Sequence, residues 1–226
     1  GRPGWHIECS AMSIKYLGEE FDIHGGGLDL KFPHHENEIA QAECATERNF
    51  ASLWMHTGPL RIDDKKMSKS LKNFITVKDI LKDFHPEVLR LFFLLTHYRN
   101  PISYSKEGLE NAKRVLDKFY TLFSEVKTTR KFNEDKTFRE EFISAFQDDF
   151  NSPKALSLLQ AYAANTESGG DLSSDKLFTL KVLLNSLGLL LDEAENYFKY
   201  GEIELSDREI EKLISDRNDA LSLIHI

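Results

Sequence analysis

The sequence predicts two unlike parts: an α/β region over residues 1–100, then an all-α region over residues 101–220 built as an antiparallel helical bundle. Three observations point there. Short extended runs (Phe21–Ile23, Leu53–Ile62) alternate with helical spacing only before Pro101. From Ser105 onward nearly every window repeats apolar residues at helical intervals, punctuated by Ser, Pro and Gly. A glycine run and a lysine-rich loop, both suited to ligands, fall in the first part alone. The boundary is therefore expected near residues 100–105.

The first helix spans Trp5 to Leu17, with Gly18 where a C-cap is wanted. Cys9 lies in its middle, and burial as a small apolar residue is the usual fate of a free cysteine. A short strand, Phe21–Ile23, then runs into Gly25-Gly26-Gly27, read as a tight loop. Such a loop, with Gly26 at its centre, lets backbone approach a nucleotide, and an ordinary turn fits equally. His24, at the strand end, points into whatever pocket that loop borders. Pro33 suits a helix start, because its fixed φ and missing N–H cost nothing there. His34 and Glu38 then project from one helical face, an imidazole and a carboxylate that zinc accepts, and Cys9 could add a thiolate. The same residues also suit a plain helix N-terminus, with acidic groups on the dipole and histidines at the surface. The spacing alone does not choose. His-Glu-x-x-His is absent, which makes a zinc hydrolase the weaker chemistry. His35 should be turned about 100° from the His34–Glu38 face. The helix should reach Glu47 with Ile39, Ala42 and Ala45 inward, and Cys44, about 120° from Glu38, is read as core.

Leu53–Ile62 reads as extended chain turning at Gly58-Pro59. It enters a polar loop, Asp63–Asn73, where Lys65, Lys66, Lys69 and Lys72 crowd two serines. Lysine-rich loops are usually solvated surface, but beside a glycine-lined pocket this one would hold polyphosphate. Thr76 caps a helix to Phe84, and Pro86 opens another carrying Val88, Leu89, Leu91, Phe92 and Leu95. Ser105 starts the first bundle helix, through Leu109, Ala112, Leu116, Phe119 and Phe123. A second is expected from Lys136 to Phe150, and a third from an N-cap at Ser152 before Pro153. Ser168–Gly170 connects to a fourth, from Ser173 to Leu191, and Ser206 caps a last one through Ala220. The chain is expected to be cut at both ends: it opens on Gly1-Arg2-Pro3, and residues 221–226 read as a non-native tail left out of the fold.

At 226 residues, 41% hydrophobic and 29% charged, the composition is that of a soluble globular protein of one or two domains. No apolar run reaches membrane-spanning length and no leader opens the chain, so no membrane role is expected. Two cysteines, Cys9 and Cys44, make no disulfide framework, which favours a reducing cytoplasm. A net charge of −8 opposes non-specific nucleic-acid coating but leaves room for RNA on a local basic patch.

Lys66-Met67-Ser68-Lys69-Ser70 is the KMSKS signature of class I aminoacyl-tRNA synthetases, letter for letter. Gly1–Met12, Asp22–Gly27 and Phe32–Ala40 resemble the cysteinyl-tRNA synthetase family. The resemblance runs from residue 1 to about residue 220, tapering in the bundle, where Asp148–Pro153 still matches. It implies that the first part is the C-terminal half of a class I Rossmann-like catalytic domain, lacking the HIGH motif. It implies one zinc ion held by Cys9, His34 and Glu38, with a fourth ligand outside these residues. Trp5 and His24 would line the cysteine pocket. Lys66 and Lys69 would be catalytic, with Lys69 and Ser68 meeting ATP and its Mg2+, and Asp29 with Gly26 near the nucleotide. The bundle would contact tRNA(Cys), and the enzyme, a cytoplasmic monomer, would activate L-cysteine and transfer it to that tRNA. Zinc prefers sulfur, so the metal could sort a thiol from a hydroxyl. Two rivals are carried. One is the cysteine ligase of mycothiol synthesis, which shares the zinc and KMSKS elements. The other is a non-catalytic metal- or RNA-binding module.

Overall fold

The computed structural model describes residues 4–62, 65–66, 75–124, 133–168, 174–201 and 207–224. They form a mostly helical chain with two small sheets. Helix α1 (Trp5–Leu17) ends where Gly18 takes a φ of 100°, backbone that a residue with a Cβ rarely adopts. Strand β1 (Phe21–Gly27) lies parallel to β2 (Ala51–Thr57), and helix α2 (Glu36–Thr46) makes the crossover. The register pairs His24 with Trp54 and Gly26 with His56.

That register corrects the expected loop, for all three glycines continue the strand. A Cβ on Gly26 would stand 2.7 Å from the His35 ring, and one on Gly27 would stand 2.5 Å from an Asp29 carboxylate oxygen. The glycines serve close packing within the site. After one tight turn (Leu28–Leu30), Phe32 is extended (φ −134°, ψ 133°) and Pro33 turns the chain into the helical path, with regular α2 from Glu36. Ala42 and Glu38 face inward, whereas Cys44 and Ala45, both expected to be core, are exposed. They sit on the sides of α2 away from the buried Glu38–Ala42 face.

A second sheet has the order β4-β3-β5, where β3 is Leu60–Ile62, β4 Lys65–Lys66 and β5 Ile102–Tyr104. β3 runs antiparallel to β4 and parallel to β5. Gly58 turns the corner between β2 and β3, and a Cβ there would lie 2.1 Å from the Asn100 carbonyl oxygen.

Helix starts follow local chemistry. Thr76 accepts from the Asp79 amide to open α3 (Val77–Asp83), and Pro86 is the first residue of α4 (Pro86–Leu94). Ser105 Oγ accepts from the Gly108 amide to start α5 (Lys106–Ser124), and Asp135 caps α6 (Lys136–Gln147). Helix α7 (Ser152–Ser168) is capped by Asn151, one residue before the expected Ser152, which is itself helical and buried. Helix α8 (Ser174–Ser186) stops short of Leu191, because Asn185 Nδ2 donates to the carbonyls of Leu189 and Leu190 and fixes an irregular turn. Helices α9 (Ala194–Phe198) and α10 (Asp207–Ile224) follow, α10 running beyond Ala220 into the segment expected to be left out. Gly169, Gly170, Ser173 and Ser206 lie outside the described residues.

One large core joins Leu109, Leu116, Leu156, Leu159, Leu180 and Leu184. Val88 and Leu91 of α4 are fully buried in it, although α4 precedes the boundary read from the sequence.

Candidate metal centre

Three elements meet at one carboxylate. Helix α1 packs on α2 through Ser10, which is buried with its Oγ 3.0 Å from the His6 carbonyl and 3.1 Å from Gln41 Oε1. That contact brings Cys9 to the turn that carries His34 and Glu38. The Cys9 sulfur, a His34 ring nitrogen and a Glu38 oxygen lie within 4.8 Å of one another. His34 Nε2 is 2.5 Å from Glu38 Oε1, and His24 Nε2 is 3.0 Å from Oε2. Glu38 is only 1% exposed, and neither oxygen accepts a hydrogen bond despite the two close imidazoles. A buried carboxylate left in that state is costly unless a cation faces it. Sulfur, imidazole and carboxylate donors suit zinc. The residues present therefore fit a metal.

His24, expected as a pocket-lining residue, abuts Glu38 itself and forms a second close trio with His35 and Glu38. His35 corrects the sequence reading: it is buried, not turned out to one side. Its ring packs against Gly26 and Trp54, and its Nδ1 lies 2.8 Å from His56 Nε2. Trp54 and His56 are two residues apart on β2 and so share a face, which the parallel register sets against His24 and Gly26. Sequence reasoning missed both. Their alternation was the available cue, but it names no partner strand.

Burial, then the neighbouring His24, His56 and His34, pushes His35 down to about 4, so it is neutral at pH 7. Burial, with Lys31 and Arg99 next in weight, also lowers His56. The Cys9 thiol is raised, first by burial and then by Glu38. Neutral histidines can donate and accept within the cluster without mutual repulsion.

The remaining expected residues are less closely joined. Trp5 is 63% exposed at the rim, its ring 4.7 Å from that of His34. Asp29 lies in the turn just after β1, beside Gly27, and Gly26 is the strand residue under His35. Lys66 pairs through its backbone with Arg61 in β4, while Ser68 and Lys69 lie outside the described residues.

Comparison with known proteins adds to this geometry. Residues 1–114 match the family described as tRNA synthetases class I (C) catalytic domain, and residues 141–193 match the DALR domain. The cysteine–tRNA ligase of Hydrogenovibrio crunogenus is 49% identical over 224 residues, covering 97% of this chain and 48% of the relative. That of Legionella pneumophila strain Corby is 48% identical over 221 residues, with the same coverage, and that of Francisella philomiragia is 45% identical over 227. The chain thus spans about half the length of the curated relatives it matches. Among solved structures, an Agrobacterium radiobacter K84 LeuRS in ternary complex with tRNA and LeuAMS aligns with a TM-score of 0.57. It is 19% identical and covers 74% of this chain and 25% of that one, a likeness of fold.

Proposed function

We propose that this chain, which belongs to the cysteine-type class I tRNA synthetases, takes part in joining L-cysteine to tRNA(Cys) with ATP as the second substrate. The observation that carries the reading is Glu38, buried with both oxygens lacking hydrogen bonds and faced by Cys9 and His34. Cys9, His34 and Glu38 would hold zinc, with a fourth ligand from outside these residues. Zinc bound there would supply affinity for a substrate thiol over a serine hydroxyl.

The chain's own groups do the rest. His24 and His35 wall the cluster, with the Trp54 ring packed against both. Trp5 borders the cysteine pocket at its open rim. Asp29 and Gly26 lie where β1 ends and would border the nucleotide, Asp29 through its carboxylate and Gly26 as the strand residue under the His35 ring. Lys66 and Lys69 act as the catalytic cations, and Lys69 with Ser68 holds phosphate oxygens as charge shifts during attack of the cysteine carboxylate on the α-phosphorus. The products of that step are cysteinyl-adenylate and pyrophosphate, with Mg2+ accompanying ATP. The tRNA terminal hydroxyl then attacks the cysteinyl carbonyl of the adenylate, forming the ester and releasing AMP.

Residues 1–100 read best as the C-terminal part of a class I Rossmann-like catalytic domain. The helices from residue 101 read as an antiparallel bundle that positions the tRNA acceptor end. No helix among the described residues is long and apolar enough to cross a membrane. We read the full-length enzyme as a cytoplasmic monomer. The named relatives weigh against the amino-sugar ligase and the non-catalytic module.

The test is cysteine-dependent exchange of pyrophosphate into ATP by the full-length enzyme, followed by charging of tRNA(Cys). Exchange with cysteine but not serine, lost on zinc removal and restored by zinc, is expected. Equal exchange with serine, or charging of an amino sugar in place of tRNA, overturns the reading.

A further inference from the structure

Asp149 joins two regions that the proposed reaction must bring into register. On one side, the corner Thr57–Pro59 between β2 and β3 is pinned to the turn His97–Asn100 that precedes β5. The Gly58 amide donates to the Tyr98 carbonyl at 2.8 Å, and the Ile102 amide donates to the Pro59 carbonyl at 3.0 Å. The Asn100 carbonyl fills the space where a Gly58 Cβ would stand. Backward from this corner, β2 leads to His56, which holds His35 behind Glu38. Forward, β3 leads through β4 to Lys66.

On the other side of the same turn, Tyr98 and Arg99 both reach one carboxylate in the corner between α6 and α7. Tyr98 Oη donates to Asp149 Oδ1 at 2.7 Å. Arg99 forks onto it, Nε to Oδ2 at 2.5 Å and Nη2 to Oδ1 at 3.0 Å. The His97 ring stacks on Tyr98, with its Nε2 3.9 Å from Asp149 Oδ2. The corner holds a fixed shape: Asp149 and Phe150 both have φ of 54°, which few residues with a Cβ adopt, and Asn151 caps α7 directly after them. An exposed ion pair contributes little stability. A two-pronged fork with a third donor does fix orientation.

We propose that Asp149 is a positioning residue that locks the α6–α7 corner onto the Thr57–Pro59 corner, and thereby sets where a nucleic-acid acceptor held by the helices meets the Cys9–His34–Glu38 cluster. This rests on the functional reading above. Cysteine activation needs no acceptor and should ignore the lock. Transfer should depend on it, chiefly in turnover, because phosphate contacts spread along the RNA keep affinity while the reacting end is displaced.

The experiment substitutes Asp149→Asn, which tolerates the left-handed backbone but loses the ion pair, and separately Arg99→Lys, in the full-length enzyme. Pyrophosphate exchange should stay within about twofold of the unsubstituted enzyme. The kcat for tRNA charging should fall about tenfold, with KM for tRNA little changed. The double variant should be no worse than either single one, as expected when both remove one contact. Unchanged charging overturns the proposal, as do exchange and charging falling together, the pattern of general destabilisation. Failure of exchange in the unsubstituted enzyme overturns the functional reading itself, and this inference with it.

Discussion

A carboxylate as buried as Glu38, with neither oxygen hydrogen-bonded, needs positive charge close by, and the side chains that face it among the described residues are the His24 and His34 imidazoles and the Cys9 thiol. Zinc content is therefore the direct readout. In the full-length enzyme, Cys9→Ser, His34→Ala and Glu38→Gln should each weaken zinc binding beyond the roughly 10–100-fold typical of an outer-shell change. His56→Ala, which removes only the support of His35, should stay within that range in a chelator-competition titration. A His56→Ala loss as large as that of His34→Ala would show that the wrong histidine is assigned to the metal. His34 and Glu38 stand out in the sequence as an i,i+4 pair with Cys9 as a possible third donor, although spacing alone does not choose a metal over a plain helix start, and the structure brings the three together. The wall behind them could not be read there, because His24, Trp54, His35 and His56 meet only through the register of two parallel strands. Elsewhere, Arg99, followed by Tyr98, holds Asp149 down to about 2. A carboxyl depressed in the folded state stabilises it above its unfolded pKa of about 3.9 and loses that contribution as pH falls through the folded value. A carboxyl NMR titration should therefore place the Asp149 midpoint near 2, and Arg99→Lys should move it upward. A midpoint near 4 in the unsubstituted protein would mean that the fork is open in solution.

Helix beginnings were legible at Thr76, Pro86 and Ser105, where the start signal is local, and one residue late at α7, where Asn151 and not Ser152 is the cap. Endings set by distant residues were not. The chain leaves α8 early, and the turn that follows is held partly by Glu87, whose oxygens accept from the amides of Leu190 and Leu191 at 2.7 and 2.9 Å. Glu87 also accepts from Tyr120 Oη at 3.0 Å, and burial followed by Glu87 raises the Tyr120 hydroxyl. A sequence separation of 103 residues hides this contact from any local pattern. Glu87→Ala leaves two amides and a hydroxyl without their acceptor in a buried site, and should cost about 3 kcal/mol in urea unfolding. Thr76→Ala removes a single exposed cap and should cost about 1 kcal/mol. Equal costs would mean that the Glu87 network is open to water.

At the scale of the whole molecule the two regions differ in how they bury apolar surface. The main core draws its buried members from Val88 to Tyr197, and Ile80, Leu81 and Phe84 pack against it. Among the described residues, the region before residue 75 contributes none of them. It buries Ala42, Phe50, Ala51 and Ile62, and leaves Tyr16 73% and Phe32 77% exposed. Its β1–β2 sheet is a single parallel pair with free outer edges among the described residues, while β3 and β4 pair onward to β5. The sequence pattern puts the division near residue 100, because helical spacing becomes nearly continuous from Ser105. The packing puts it earlier, because α4 spends its apolar face on the helices that follow. Burial and backbone pairing decide where a protease can open a chain. Limited proteolysis of the 226-residue chain should therefore remove the region carrying α1, α2, β1 and β2 first. It should leave a resistant fragment whose N-terminus falls between Ile75 and Pro86 and whose C-terminus falls near Gly201, since Leu213 and Ile214 of α10 are exposed. Mass spectrometry of the fragment locates both ends. A resistant fragment beginning at Ser105 or later would show that α4 is not part of the helical unit, and that the sequence pattern marks the physical boundary after all.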